Sequence, residues 1–270
     1  MTPDGIRDSG FGIRIPQSER IPQSERIPNP KSQIPQSEQI PQSEQIPQSE
    51  RIPNPKSRIP TLPPLNAIVD VEVAARAGWR PIDVARAFLN GGARFLQLRA
   101  KAMPGAELLA TASAVVQLAH QRHAYVMVND RADVARLAGA DGVHVGQEDL
   151  APRAVRAIVG DAVMVGLSTH TMEQLDAALR EPVSYVAIGP VFGTRTKATG
   201  FEAVGLETVR EAARRAGARG LPLVAIGGIT LENAVSVIEA GAASVAVISD
   251  LLSTRDPETR VRDYLKALSP

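Results

Sequence analysis

From Leu65 onward, short apolar runs alternate with longer amphipathic segments, and the alternation repeats eight times. The runs are rich in Val, Ile and Leu and end in Gly, Asp or Asn, as buried strands do. The stretches between them carry apolar residues at helical spacing. A strand followed by a helix and then another strand pairs in parallel, because the connection is too long for a hairpin. Strands are expected at 67–71, 95–99, 125–128, 142–145, 163–166, 185–188, 223–226 and 245–248. Helices are expected at 81–90, 107–121, 131–138, 152–158, 172–179, 206–216, 231–240 and 258–268. Pro81 opens the first helix, and Gly91-Gly92 can supply its left-handed cap.

An open doubly wound sheet or two half-size domains could use the same elements. Even spacing of about 20 to 30 residues per unit favours closure into an α/β (β/α)8 TIM barrel. Composition agrees: the chain is 44% hydrophobic but only 3% aromatic, so its core is built from Ala, Val, Ile and Leu.

The barrel is expected over residues 63–270, preceded by a low-complexity tail at 1–62. The tail repeats Ile-Pro-Gln-Ser-Glu-Arg or Gln from Ile15, Ile21, Ile34, Ile40 and Ile46, broken by Ile-Pro-Asn-Pro-Lys-Ser at Ile27 and Ile52. An isolated Ile in each unit cannot offset ordering entropy, and recurrent Pro opposes both helix and strand. A disordered or partly polyproline-II tail is expected. A solenoid of hexapeptide coils would want Gly and small residues at its corners rather than Pro in every unit.

Lys plus Arg number 30 against 29 Asp plus Glu, which excludes a global basic field for nucleic acid. The absence of Cys removes disulfides, thiolate metal sites and a cysteine nucleophile. No apolar run reaches membrane-spanning length and the N-terminus carries no secretory pattern, so a cytoplasmic location is expected.

In a closed barrel, the loops after the strands gather on one face. Asp130 and Asp149 follow the third and fourth strands, where a hard divalent cation could bridge them to an anionic substrate. Each acid could equally cap the helix that follows it. Alternation points Gln97, Arg99 and Lys101 to one side of the second strand; Arg99 could simply pair with a barrel acid while Lys101 is solvated. Asn129, His144 and Ser168 stand at neighbouring strand ends, with no nucleophile elbow to suggest a serine relay. The long sixth loop carries Thr194, Thr196 and Lys197, donors suited to phosphoryl oxygens. Gly227-Gly228 after the seventh strand, with Ile248 and Ser249 after the eighth, stand where barrels bind phosphate through backbone N–H groups. Two anionic groups are implied, a metal-bound diphosphate and a metal-free monophosphate.

Taken in order, Gln97-Leu98-Arg99-Ala100-Lys101, Val128-Asn129-Asp130-Arg131, Gly142-Val143-His144-Val145-Gly146-Gln147-Glu148-Asp149, Thr194-Arg195-Thr196-Lys197 and Ala225-Ile226-Gly227-Gly228-Ile229 resemble the thiamine-phosphate synthase family over residues 65–268. The resemblance implies a magnesium-dependent transferase joining hydroxymethylpyrimidine diphosphate to a thiazole phosphate. It implies that Asp130 and Asp149 hold Mg2+, and that Arg99, Lys101, Asn129, Ser168 and Lys197 receive the diphosphate. Gln97 would bind the aminopyrimidine, His144 would line the same strand end, and Thr194, Thr196, Gly228, Ile248 and Ser249 would hold the thiazole phosphate. One departure is the first strand, which lacks the aromatic residue the family often carries there. The expected partners are these small molecules, with no nucleic acid or membrane; a homo-oligomer stays open. The competing readings are a thiazole tautomerase-like barrel and a non-catalytic ligand-sensing scaffold with a partner-binding tail.

Overall fold

The structure is a computed structural model that describes residues 61–193 and 200–269. Apart from its last two residues, the tail at 1–62 lies outside the described residues, as do Thr194, Thr196 and Lys197 of the sixth loop.

Eight parallel strands close into a barrel in sequence order. They are β1 (Leu65–Asp70), β2 (Phe95–Arg99), β3 (Tyr125–Asn129), β4 (Gly142–Val145), β5 (Met164–Thr169), β6 (Tyr185–Ile188), β7 (Leu223–Ile226) and β8 (Ser244–Val247). The last strand pairs back on the first through Leu65 with Val245 and Ala67 with Val247. Around them run α1 (Val71–Arg76), α2 (Pro81–Asn90), α3 (Gly105–His120), α4 (Ala132–Ala138), α5 (Pro152–Val159), α6 (Met172–Ala178), α7 (Gly205–Gly217), α8 (Leu231–Glu239) and α9 (Pro257–Ala267).

Strand alternation sorts two cores. Along β2, Leu96 and Leu98 face outward into the Val-, Ala- and Leu-rich layer beneath the helices. Phe95 faces inward, where Ile68, Met127, Met164 and Tyr185 fill the barrel. Leu62, which the sequence boundary places in the tail, is buried in this inner cluster. Toward the C-terminal rim the inward positions turn polar, with Gln97, Asn129 and His144 all buried. Phe95 and Tyr185 are the buried aromatic rings of the inner cluster, while Phe88 and Tyr264 sit in the otherwise aliphatic outer layer.

Several expectations need correction, among them the first strand, which spans Leu65–Asp70 rather than 67–71. A short helix, α1, follows β1 where no element was expected; Asp70 accepts from Val73 N at 2.9 Å and caps it. β5 runs to Thr169 rather than ending at 166, because Ser168 and Thr169 pair with Ala187 and Ile188 of β6. β8 ends at Val247, so Ile248 opens a 3-10 turn over Ser249–Leu252 instead of closing the strand. At the end of α2, Gly91 stays right-handed with φ −65° and the positive φ falls on Gly92.

Candidate active site

Asp130 follows the last residue of β3 at the rim. Its φ is 63°, a sparsely populated region for a residue with a side chain. Arg131 N bonds Asn129 O at 2.8 Å across it, and its own N–H donates to His144 O at 2.8 Å. Its carboxylate pairs with Lys101 and does not cap α4, whose N-cap position is Arg131 with no side-chain cap hydrogen bond. Asp149 accepts from Gly146 N at 2.8 Å, and α5 begins after Ala151 without a side-chain cap. Neither acid caps its helix, so the structural reading open in the sequence is not what the backbone adopts. Burial, chiefly, pushes the Asp130 carboxyl above its ordinary range; the Lys101 ammonium paired with it pulls the other way, and the neighbouring Asp149 carboxyl adds to the rise.

The second strand meets the first. Arg99 is ion-paired to Asp70, which is 2% exposed. Gln97 donates to Asn129 Oδ1 at 2.8 Å and accepts from Asn66 Nδ2 at 3.4 Å, so a chain of amides crosses β1, β2 and β3. Glu72 of α1 accepts from the backbone N–H groups of Lys101 and Ala102, at 2.8 and 3.1 Å, and fixes the turn that carries Lys101.

On the opposite wall, His144 stands between two hydroxyls, with Nδ1 at 2.8 Å from Tyr185 OH and Nε2 at 2.8 Å from Ser168 Oγ. The two rings stack with centroids 5.5 Å apart. Gly166 makes this possible: a Cβ there would overlap the Tyr185 ring and His144 Nδ1. Gln147 donates to Ser168 O at 2.6 Å and ties the β4 loop to β5.

A cavity of about 370 Å³ opens beside this wall, lined by Ser168, His170, Gly228, Ile248, Ser249 and Asp250 among others. Its floor is the seventh and eighth loops. Gly228 has φ 66° and no room for a Cβ against Phe192 and Gly193, so the stem of the sixth loop lies directly on it. Phe192 N donates to Gly227 O at 3.0 Å in the same contact. Asp250 accepts from Leu231 N, Tyr264 OH and the Arg260 guanidinium, which locks the 3-10 turn to α8 and α9. His170 stacks on Phe201 at 4.2 Å, at the far end of the sixth loop.

The structure thus brings Asp130, Asp149 and Lys101 together on one side of the rim, and Ser168, Gly228, Ile248 and Ser249 around the cavity. Gln97, Arg99, Asn129 and His144 are buried or nearly so among strand neighbours. Sequence reasoning passed over Asp70, Gln147, Tyr185 and Asp250. For Asp70 a signal was present, since the alternation that turns Gln97 and Arg99 inward also turns Asn66, Ile68 and Asp70 inward along β1.

A closed parallel barrel with paired acids at one rim and a glycine-built turn after β7 defines a phosphate-handling α/β-barrel enzyme. Residues 65–251 match the family model described as thiamine monophosphate synthase. Thiamine-phosphate synthase from Koribacter versatilis is 44% identical over 212 residues, covering 77% of this chain and 96% of that one. Its counterpart from Roseiflexus castenholzii is 44% identical over 181 residues, covering 67% of this chain and 78% of that one. A solved thiamine phosphate pyrophosphorylase from Pyrococcus furiosus superposes with TM-score 0.69 at 29% identity, over 76% of this chain and 95% of that one. The chain belongs to the thiamine monophosphate synthase family.

Proposed function

We propose that the chain carries out the reaction of its family as a magnesium-dependent transferase. It joins 4-amino-2-methyl-5-hydroxymethylpyrimidine diphosphate to 4-methyl-5-(2-phosphoethyl)thiazole, giving thiamine phosphate and diphosphate. The observation that carries the reading is the Asp130–Asp149 pair: two carboxylates from adjacent strand ends held close enough for one to raise the other's pKa, beside a lysine. The lysine offsets one of the two negative charges, and a divalent cation in the working state would offset the rest.

The donor set suits Mg2+. Two carboxylates leave most of an octahedral shell to substrate oxygens and water, the usual way this ion is held. Among the described residues, no group of three or more His, Cys, Asp or Glu converges to build a fully protein-made cage. Asp130 and Asp149 would hold the ion, which when bound neutralises a departing diphosphate.

The residues then divide the work. Lys101, half exposed on its turn, supplies mobile positive charge to the leaving group, and Arg99, Asn129, Ser168 and Lys197 add donors around it. Gln97, held by its amide neighbours, presents hydrogen bonds to the aminopyrimidine. Gly228, Ile248 and Ser249 offer backbone groups to the thiazole phosphate, with Thr194 and Thr196 from the sixth loop. His144 orders the wall between the two halves. No general base is required, because the electron-rich pyrimidine stabilises the methylene cation left by diphosphate and the thiazole nitrogen captures it. Catalysis reduces to neutralising the leaving group and holding the nucleophile close.

The test is an assay of the purified chain with both phosphorylated precursors and magnesium, following thiamine phosphate. Asp130→Asn should fold normally and lose diphosphate release. Unchanged turnover in that variant would sink the metal assignment.

A further inference from the structure

We propose that Tyr185 is a positioning residue: it sets the tautomer of His144 and through it aims the Ser168 hydroxyl at an anionic oxygen of the substrate. The last step rests on the role given to Ser168 above; the first two stand on the strand geometry alone.

Tyr185 is fully buried inside the barrel. Burial pushes its ionisation up, so the phenol keeps its proton. That proton needs an acceptor, because a buried donor left without one costs about 1–3 kcal/mol. His144 Nδ1, 2.8 Å away, is the acceptor, provided the ring carries its proton on Nε2. The other tautomer would set an N–H against the phenol oxygen and leave the phenolic proton stranded. With the proton on Nε2, His144 donates to Ser168 Oγ at 2.8 Å. A serine oxygen that accepts one bond keeps its own proton to give away, and Ser168 lines the cavity. Gln147 holds Ser168 from the backbone side at 2.6 Å, so the hydroxyl rotor is the remaining freedom.

The three side chains form a one-way line of donors, Tyr185 to His144 to Ser168 to substrate oxygen. Such chains polarise one another in a low-dielectric interior. No proton changes owner; the arrangement is electrostatic preorganisation, in which the serine dipole points at the substrate before it arrives. It also explains Gly166, since any side chain there would separate the tyrosine from the histidine.

The first measurement is the nitrogen-15 spectrum of the histidine rings in the full-length, substrate-free protein near neutral pH, with the His144 signals assigned by their loss in His144→Gln. Protonated Nε2 with bare Nδ1 is expected. Protonated Nδ1, or a mixture of the two tautomers, would overturn the proposal.

The second uses Tyr185→Phe, which keeps the ring and removes the hydroxyl. Its kcat should fall about tenfold, the rate equivalent of one lost hydrogen bond. Both KM values should stay within about twofold, as expected when a contact matters chiefly in the transition state. The single-tautomer spectrum should become a mixture. Ser168→Ala should lose at least as much, and the double variant no more than Ser168→Ala alone. Wild-type kcat in Tyr185→Phe, or losses that multiply in the double variant, would refute the line of donors. A wild-type chain with no turnover would refute the proposed reaction, while the spectrum would still decide the tautomer.

Discussion

The Lys101 ammonium is ion-paired to the Asp130 carboxylate across the loops that follow β2 and β3. The side chains are 49% and 18% exposed, so the lysine is the partner that can leave. A cation settling between Asp130 and Asp149 would displace it toward the diphosphate, which needs that charge once the substrate is bound.

Magnesium should therefore stabilise the free protein. Ligand linkage gives about 2.7 kcal/mol at a hundredfold excess over Kd. The melting temperature of the wild type should climb with magnesium concentration, and that of Asp149→Asn should stay nearly flat. Equal shifts in the two proteins would place the ion elsewhere.

Asp70 makes a second, structural prediction. Its carboxylate neutralises Arg99 inside the barrel and caps α1 at the same time. Asp70→Asn keeps the cap and the volume but leaves the guanidinium without its counter-charge, and breaking a buried pair from one side costs about 3–5 kcal/mol. Urea unfolding should show a lowered midpoint at unchanged slope. A midpoint equal to that of the wild type would mean that Arg99 is compensated by another group.

Much of this was legible in the sequence because period-2 alternation and turn residues survive in a parallel barrel. The strands β2, β4, β6 and β7 begin and end where the apolar runs do. β5 was cut short at Gly166, which reads as the end of an apolar run, although cross-strand pairing with β6 carries Leu167, Ser168 and Thr169 into the sheet. α1 went unseen because Val71 and Val73 favour a strand on their own, and the Asp70 cap outweighs them. Whether Asp130 caps α4 or faces the rim turns on a single dihedral, and no pattern of residue types encodes a φ of 63°. The partners of Arg99 and His144 lie on strands 29 and 41 residues away, so they appear only once the register is fixed.

Leu62 marks where the barrel begins to depend on the chain before it. It is 7% exposed and packs in the inner cluster with Phe95 and Tyr185. Leu62→Ala should cost about 2–5 kcal/mol, the usual range for emptying a buried leucine site. Removing residues 1–60 should leave melting temperature and turnover almost unchanged, because one isolated Ile per hexapeptide contributes little burial. A large loss on that deletion would make the repeats part of the folded unit.

The buried tyrosines predict how stability falls at high pH. Burial raises the ionisation of Tyr185, and burial together with the Asp250 carboxylate raises that of Tyr264. A raised folded-state pKa means that the folded form holds its proton more tightly than the unfolded chain. The stabilisation is complete below the unfolded value, about 10, and is lost as pH rises past it. Each tyrosine contributes a slope of about 1.4 kcal/mol per pH unit in that range. Denaturant unfolding from pH 9 to 11 should show stability falling with pH, and the fall should be shallower in Tyr264→Phe, where one of the two groups no longer titrates. The same steepness in variant and wild type would show that Tyr264 ionises as readily folded as unfolded, and that its contact with Asp250 does not hold the phenolic proton in place.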